Sequence, residues 1–220
     1  MKRSSRNRLN HRHLEHFTGD TLFDRIARTV CHADCLPRKE LYESWEVARR
    51  IHRRIKGKRV LDLACGHGLA AQILLLLDRT IPEAIAIDKT LPQSATTLAA
   101  KMTEQWPVLD TRLHFVEADI TAIEAAPEDL LVSVHGCGSL TETIIDMACS
   151  SQSAVALLPC CHDLKRSDTG NLEGWLEPTL AVDVTRVSKL RNAGYTLFTQ
   201  TIPGDITSKN RLIMAIPGQR

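Results

Sequence analysis

The sequence predicts an α/β fold, a seven-stranded and mostly parallel sheet with an antiparallel last strand, preceded by an N-terminal helical extension. Three observations predict it. From residue 58 onward, short apolar runs alternate with helical patterns, and strand–helix–strand repetition means a parallel sheet covered on both faces. The runs "RVLDLA", "AIAID", "LLVSV" and "AVALL" are almost continuously apolar, as strands buried on both faces are. The last two runs, "YTLFTQTI" and "RLIMAI", are joined by a short segment containing Pro203 and Gly204, which is too short for a parallel crossover and makes them an antiparallel pair.

Each element has its own reason. Residues 1–17 carry Lys2, Arg3, Arg6, Arg8 and Arg12 against Glu15 alone, with His11, His13 and His16. So few apolar groups do not offset the entropy of ordering, which predicts a mobile basic arm. Residues 18–57 read as N-terminal helices. The first, Thr18 to Cys31, has Leu22, Phe23, Ile26 and Val30 on one face. Pro37 opens the second, in which Leu41, Trp45, Ala48, Ile51 and Ile55 recur at three and four until Gly57 stops it. Residues 58–220 form the sheet domain. After "RVLDLA" come the helix "LAAQILLLL", the strand "AIAID", the amphipathic helix "SATTLAAKMTEQW" and the strand "LHFVEAD". A short acidic helix is expected to about Asp129, then "LLVSV", the helix "LTETIIDMA" and "AVALL". Residues 163–178 are polar and read as a loop, followed by a helix over 180–192.

Bulk composition narrows the class. With 220 residues, 43% hydrophobic and 25% charged, the chain buries a full core without staples. A net charge of +2 leaves any basic surface to uneven distribution. The seven cysteines are scattered, the N-terminus has no apolar core, and "AAQILLLL" is far too short to span a bilayer. The expected setting is therefore reducing and cytoplasmic, with thiols in place of a disulfide framework and no membrane partner.

The first strand ends in "DLACGHGLAA". Gly66 and Gly68 between a buried strand and a helix let the backbone turn tightly and approach a ligand at a helix N-terminus. "GHGLAA" satisfies the G-x-G-x-x-A form of the dinucleotide fingerprint of Rossmann-like sheets, and Asp88 closes the next strand about 20 residues on. Two cofactors fit that geometry, a nicotinamide dinucleotide and S-adenosylmethionine. An NAD-dependent oxidoreductase needs a hydride-transfer group such as Tyr-x-x-x-Lys, and neither Tyr42 nor Tyr195 has a Lys at that spacing.

"VLDLACGHG" resembles motif I of the class I S-adenosylmethionine-dependent methyltransferases, with Ala64 where that family has its first glycine. "AIAID" resembles the family's ribose-binding strand end, and "FVEADI" the segment whose aspartate sits beside adenine. The resemblance covers roughly residues 58–216. It implies S-adenosyl-L-methionine as cofactor, held by Asp62, Ala64, Gly66 and Gly68 at the methionine end, Asp88 and Lys89 at the ribose, Asp119 and Ile120 at the adenine, and His135 nearby. "VSVHGCGSLTETII" and "LLPCCH" further resemble a subgroup that includes eukaryotic tRNA acceptor-stem 2′-O-methyltransferases. This implies RNA, such as tRNA, as a substrate and ribose methylation as one activity.

The fourth and fifth strands are neighbours in that fold, which brings His135 and Cys137 close to Cys160, Cys161 and His162. Several chemistries stay open for them. His135 or His162 is a candidate base for a hydroxyl acceptor. Cys160, with Cys137 opposite, is a candidate nucleophile for RNA cytosine-C5 methylation. Tetrahedral zinc and plain packing of small apolar thiols are the other readings, and no metal is expected. The acceptor itself is open between RNA, protein and a small molecule. Arg49, Arg50, Arg53 and Arg54 make one helical face basic, which with the arm offers a surface to a nucleic-acid backbone. Glu40, Glu43 and Glu46 precede them and partly balance the charge.

Overall fold

The computed structural model describes residues 1–136 and 138–218. Its centre is a seven-stranded sheet in the order β3-β2-β1-β4-β5-β7-β6. β1 (Arg59–Leu63), β2 (Ala84–Asp88), β3 (Leu113–Glu117), β4 (Asp129–Ser133) and β5 (Ala154–Leu157) run parallel. β7 (Arg211–Pro217) enters antiparallel between β5 and β6 (Tyr195–Thr201). The order reverses between β1 and β4, so a crevice opens beyond their carboxyl ends, where open α/β sheets bind ligands.

Side chains alternate across the sheet, so each strand feeds two cores. Val60 joins a core with α1 (Leu22–Ala33), α2 (Arg38–His52), α3 (Leu69–Leu77) and α4 (Gln93–Gln105). Leu61 and Leu63 join the other, beneath α5 (Leu140–Ser151) and α6 (Pro178–Asn192). Burial on both faces is what makes these strands read as unbroken apolar runs. Among the described residues, no helix is long and apolar enough to cross a membrane.

Two expectations need correction. Residues 1–17 are docked against the helices. Leu9 and Phe17 are buried at 0% and 2% exposure, and His11–His16 forms a 3-10 turn capped by Asn10. The Leu9 N–H donates to the Leu36 carbonyl, while the Arg38 and Lys39 N–H groups donate to Asn7 and Ser5 carbonyls, each at 3.0 Å. Pro37 has no side-chain cap to offer α2, so the arm's carbonyls satisfy helix donors that are otherwise orphaned. Two apolar anchors and this pairing outweigh what composition implied. The expected acidic helix reaching Asp129 is only a 3-10 turn at Ile120–Ala122. Pro127 disfavours the helical conformation for Ala126, and Asp129 opens β4, fully buried and clamped by Arg59 at 2.7 and 2.8 Å.

Candidate active site

The loop after β1 alternates its handedness. Ala64, Gly66 and Gly68 hold φ of +56°, +54° and +64°. Gly68 is required by packing, because a Cβ there would lie 2.8 Å from the Phe115 ring and 3.1 Å from the Ala86 Cβ. Gly66 is different: nothing lies within 4 Å of where its Cβ would be, so the cradle is open on that side to a ligand. Ala64 accepts a left-handed conformation that costs a non-glycine residue about 1–2 kcal/mol, strain of the kind stored at binding loops.

Neighbouring strand ends hold the cradle. The Cys65 N–H donates to the Ile87 carbonyl at 3.0 Å, and the Gly66 N–H donates to Asp88 Oδ2 at 2.9 Å. Asp88 is half-buried; its other oxygen has only a long contact, 3.4 Å, from the Thr90 N–H. Asp119 sits exposed beyond β3, accepting from the Thr121 N–H at 3.0 Å and hydroxyl at 2.7 Å. Those bonds hold its carboxyl below the usual carboxylate range. Lys89 is exposed, its Nζ 4.0 Å from Asp119 Oδ2. The Ile120 side chain is buried in the core, which leaves only its backbone for a ligand. Asp62 is buried beneath the loop and accepts from the Ala71 N–H at 3.2 Å, pinning the first turn of α3. Burial pushes its carboxyl up to about 7, against the Ala71 bond and with the help of Asp88. An open cradle followed by carboxylates on two successive strand ends suits S-adenosylmethionine.

The opposite wall comes from outside the sheet. Leu36, Glu40 and Ser44 face Ala64, His67 and His135 across the cleft. His67 Nε2 lies 2.9 Å from the Ser94 hydroxyl and its Nδ1 3.8 Å from Glu40. Beside them, Glu43 is 1% exposed, with Oε1 3.0 Å from Lys39 Nζ and Oε2 3.8 Å from His135 Nε2. Among the described residues, neither Glu43 Oε2 nor His135 Nε2 has a hydrogen-bond partner. Burial, with Lys39 nearby, pulls the His135 ring down to about 4, so it stands neutral. Sequence reasoning missed Glu40, Glu43, Ser44 and His67. The available signal was a glutamate and a serine, Glu43 and Ser44, on the α2 face that also carries the buried Leu41, Val47, Ala48 and Ile51.

The two histidine loops do meet. The Gly138 N–H donates to the Cys161 carbonyl at 3.1 Å, and Cys160 Sγ lies 3.7 Å from the His135 carbonyl oxygen and 3.8 Å from Cys161 Sγ. Cys161 is exposed and Cys160 half-buried; Cys137 lies outside the described residues. His162 departs from expectation. Its side chain is 1% exposed, with Nε2 2.8 Å from Asp183 Oδ1. Asp183 also accepts from Arg186 at 3.1 Å and Arg211 at 2.6 Å. His162 therefore ties the loop to α6 and has no open face for an acceptor. Among the described residues, no three His, Cys, Asp or Glu side chains gather as a metal set.

The helix cations are corrected as well. Arg49 donates to both Glu46 oxygens at 3.1 Å, Arg50 also pairs with Glu46, and Arg54 stacks over Phe198 at 5.3 Å. Only Arg53 among these four is exposed without such a contact. All lie toward the C-terminal end of α2 or just past it, while the cleft meets its N-terminal half at Glu40 and Ser44, so Arg49 and Arg50 stand about 8–15 Å along the axis from it at 1.5 Å per residue. The docked arm instead holds exposed Arg6 and Arg8 beside the start of α2, where the charge of Arg6 acts on Glu43 and that of Arg8 on His67.

A model of the methyltransferase domain family matches residues 38–167, more than half of the chain. No curated protein matches it. Among solved structures, an O-methyltransferase family protein from Burkholderia thailandensis superposes with a TM-score of 0.53 at 17% identity, over 94% of this chain and 63% of that one. The B. subtilis M1A22 tRNA methyltransferase TrmK gives 0.51 at 14%, over 79% and 65%. The S-adenosylmethionine-dependent methyltransferase SibL gives 0.51 at 17%, over 94% and 65%. The chain thus spans a little under two thirds of each of these structures. At such identities they show a shared fold.

Proposed function

The chain belongs to the methyltransferase domain family, and from that premise we propose that it methylates RNA, at a ribose 2′-hydroxyl, with His135 as the base. The enzyme class is S-adenosylmethionine-dependent methyltransferase and the cofactor S-adenosylmethionine; the acceptor is the proposed part. An oxidoreductase reading has no support in this family. One observation carries the proposal: His135 lines the cleft between the glycine loop and α2, and the docked arm holds the exposed cations Arg6 and Arg8 near enough to act on Glu43 and His67. The sequence resemblance to tRNA acceptor-stem 2′-O-methyltransferases points the same way.

When bound, the cofactor supplies a methyl carbon activated by its sulfonium. The protein's share is alignment, which is largely a proximity effect, and removal of the acceptor proton, worth typically about 10²–10⁴-fold. The cradle of Ala64, Gly66 and Gly68, with Asp88 and Asp119, fixes the donor end. His135 takes the proton from the hydroxyl. Arg6 and Arg8 hold the phosphates that flank the ribose.

A labelled-methyl transfer assay on total RNA, protein and small-molecule pools, followed by nucleoside analysis, tests this. Label in 2′-O-methylated nucleosides is the expected result. Label confined to protein or small molecules overturns the RNA acceptor, and 5-methylcytosine transfers the chemistry to Cys160.

A further inference from the structure

We propose that Glu43 is the positioning residue of His135: its carboxylate takes the Nε2 proton, so that Nδ1 is the nitrogen offered to the acceptor hydroxyl. The inference rests on the reading of His135 as the base. Glu43 belongs to α2, outside the sheet, and lies in the same wall as Glu40 and Ser44. It is 1% exposed, yet its Oε2 has no hydrogen-bond partner. A buried carboxylate oxygen left without a donor is costly. The facing group, 3.8 Å away, is His135 Nε2, also buried and also without a partner. One is an acceptor seeking a donor and the other is a nitrogen able to carry the proton.

The remaining neighbours fit this pairing. Burial pushes the Glu43 carboxyl up, and Lys39, 3.0 Å from its Oε1, offsets part of that rise. Thr207, in the β6–β7 connection, and Arg6 of the arm each favour the charged form of Glu43. Glu40 of α2 adds negative charge beside Glu43. Beyond the end of β5, the Cys160 Sγ lies 3.7 Å from the His135 carbonyl oxygen. From the β1 side, Asp62 and His67 line the same cleft. Among the described residues, Glu43 is the carboxylate within ion-pair reach of the His135 ring, at 3.8 Å.

A gap of 3.8 Å is wider than a hydrogen bond of about 2.7–3.2 Å, so it closes with a shift of under about 1 Å. Because α2 lines the cleft, ligand entry is the event that closes it. In the reaction the acceptor O–H bond breaks and its proton goes to Nδ1. The oxygen forms its bond to the methyl carbon as the carbon–sulfur bond breaks, and the sulfur leaves as a neutral thioether. Positive charge thus moves from sulfonium to imidazolium, where Glu43 meets it. The Nδ1 proton then passes to solvent.

The test is the acid–base titration of His135 by ¹⁵N-histidine NMR on the full chain, free and with S-adenosylhomocysteine. In the wild type, the ligand is expected to raise the ring's proton affinity at least tenfold, with the neutral form protonated at Nε2. Glu43→Gln is expected to hold that rise below twofold, to leave ligand affinity within threefold, and to lower kcat with KM unchanged. Glu43→Asp should restore part of the rise. No rise in the wild type, a neutral form protonated at Nδ1, or an undiminished rise in Glu43→Gln each overturns the proposal. The first two readouts need no folded variant. The titration needs no acceptor, so a failed ribose assay is told apart from a failed Glu43 assignment; full activity in His135→Ala would remove the base while leaving the contact to be judged by NMR.

Discussion

Replacing Asp88 with alanine is the sharpest test of the cofactor cradle. In the free chain its Oδ2 accepts the Gly66 N–H at 2.9 Å, while Oδ1 has only the 3.4 Å contact from Thr90. The carboxylate therefore keeps lone pairs for two ribose hydroxyls. Hydrogen bonds to a charged group contribute about 1.5–3 kcal/mol each, so losing two costs roughly 3–6 kcal/mol. At 1.4 kcal/mol per decade that is about 10²–10⁴ in Kd. The fold loses much less, because one loop N–H goes unpaired at a half-buried site, worth about 1 kcal/mol and about 2–4 °C in a chain of this size. Calorimetric titration with S-adenosylmethionine measures the first quantity and a thermal melt the second. An affinity within threefold of wild type, in a variant that still melts cooperatively, would refute the ribose assignment of Asp88.

Other consequences follow from the same geometry. Asp62 holds its proton to about pH 7 when folded but titrates in the usual carboxylate range when unfolded. The folded chain then binds the extra proton between those values, so this group's contribution to stability falls as pH rises through that window and is level above it. Asp62→Asn should melt like wild type near pH 4 and several degrees higher at pH 8; identical pH slopes would contradict the burial argument. Gly68→Ala should destabilise by about 1–3 kcal/mol, through overpacking against Phe115 and the left-handed φ. Gly66→Ala meets no protein atom within 4 Å, so it should cost only the left-handed φ, about 1–2 kcal/mol, and chiefly weaken cofactor binding; denaturant melts and calorimetry on the pair separate the two roles. For RNA, Arg6→Glu with Arg8→Glu should weaken binding about tenfold or more and flatten its salt dependence, whereas Arg49→Ala, already paired to Glu46, should change it by less than about twofold. Equal losses in filter binding would return the contact to α2.

Much of the fold was legible because its signals are local. A strand buried on both faces has to be apolar throughout, which is why β1, β2, β4 and β5 stand out. The cradle was legible too, since Gly66, Gly68 and Asp88 are set by chain distance from one strand end to the next. The end of β4 was misjudged because Asp129 looks like a helix residue until Arg59, seventy positions away, clamps it.

The sequence by itself determined the parallel sheet with its reversed last pair, the glycine loop and the run of strand-end carboxylates, all of which follow from periodicity and spacing along the chain. Only the tertiary structure decided which titratable groups face one another. It spent His162 on Asp183, laid the arm across the start of α2, and set Glu43 opposite His135. The physical reason is that a charged side chain's role depends on the partner within a few ångströms, and here those partners come from elements that no local pattern relates.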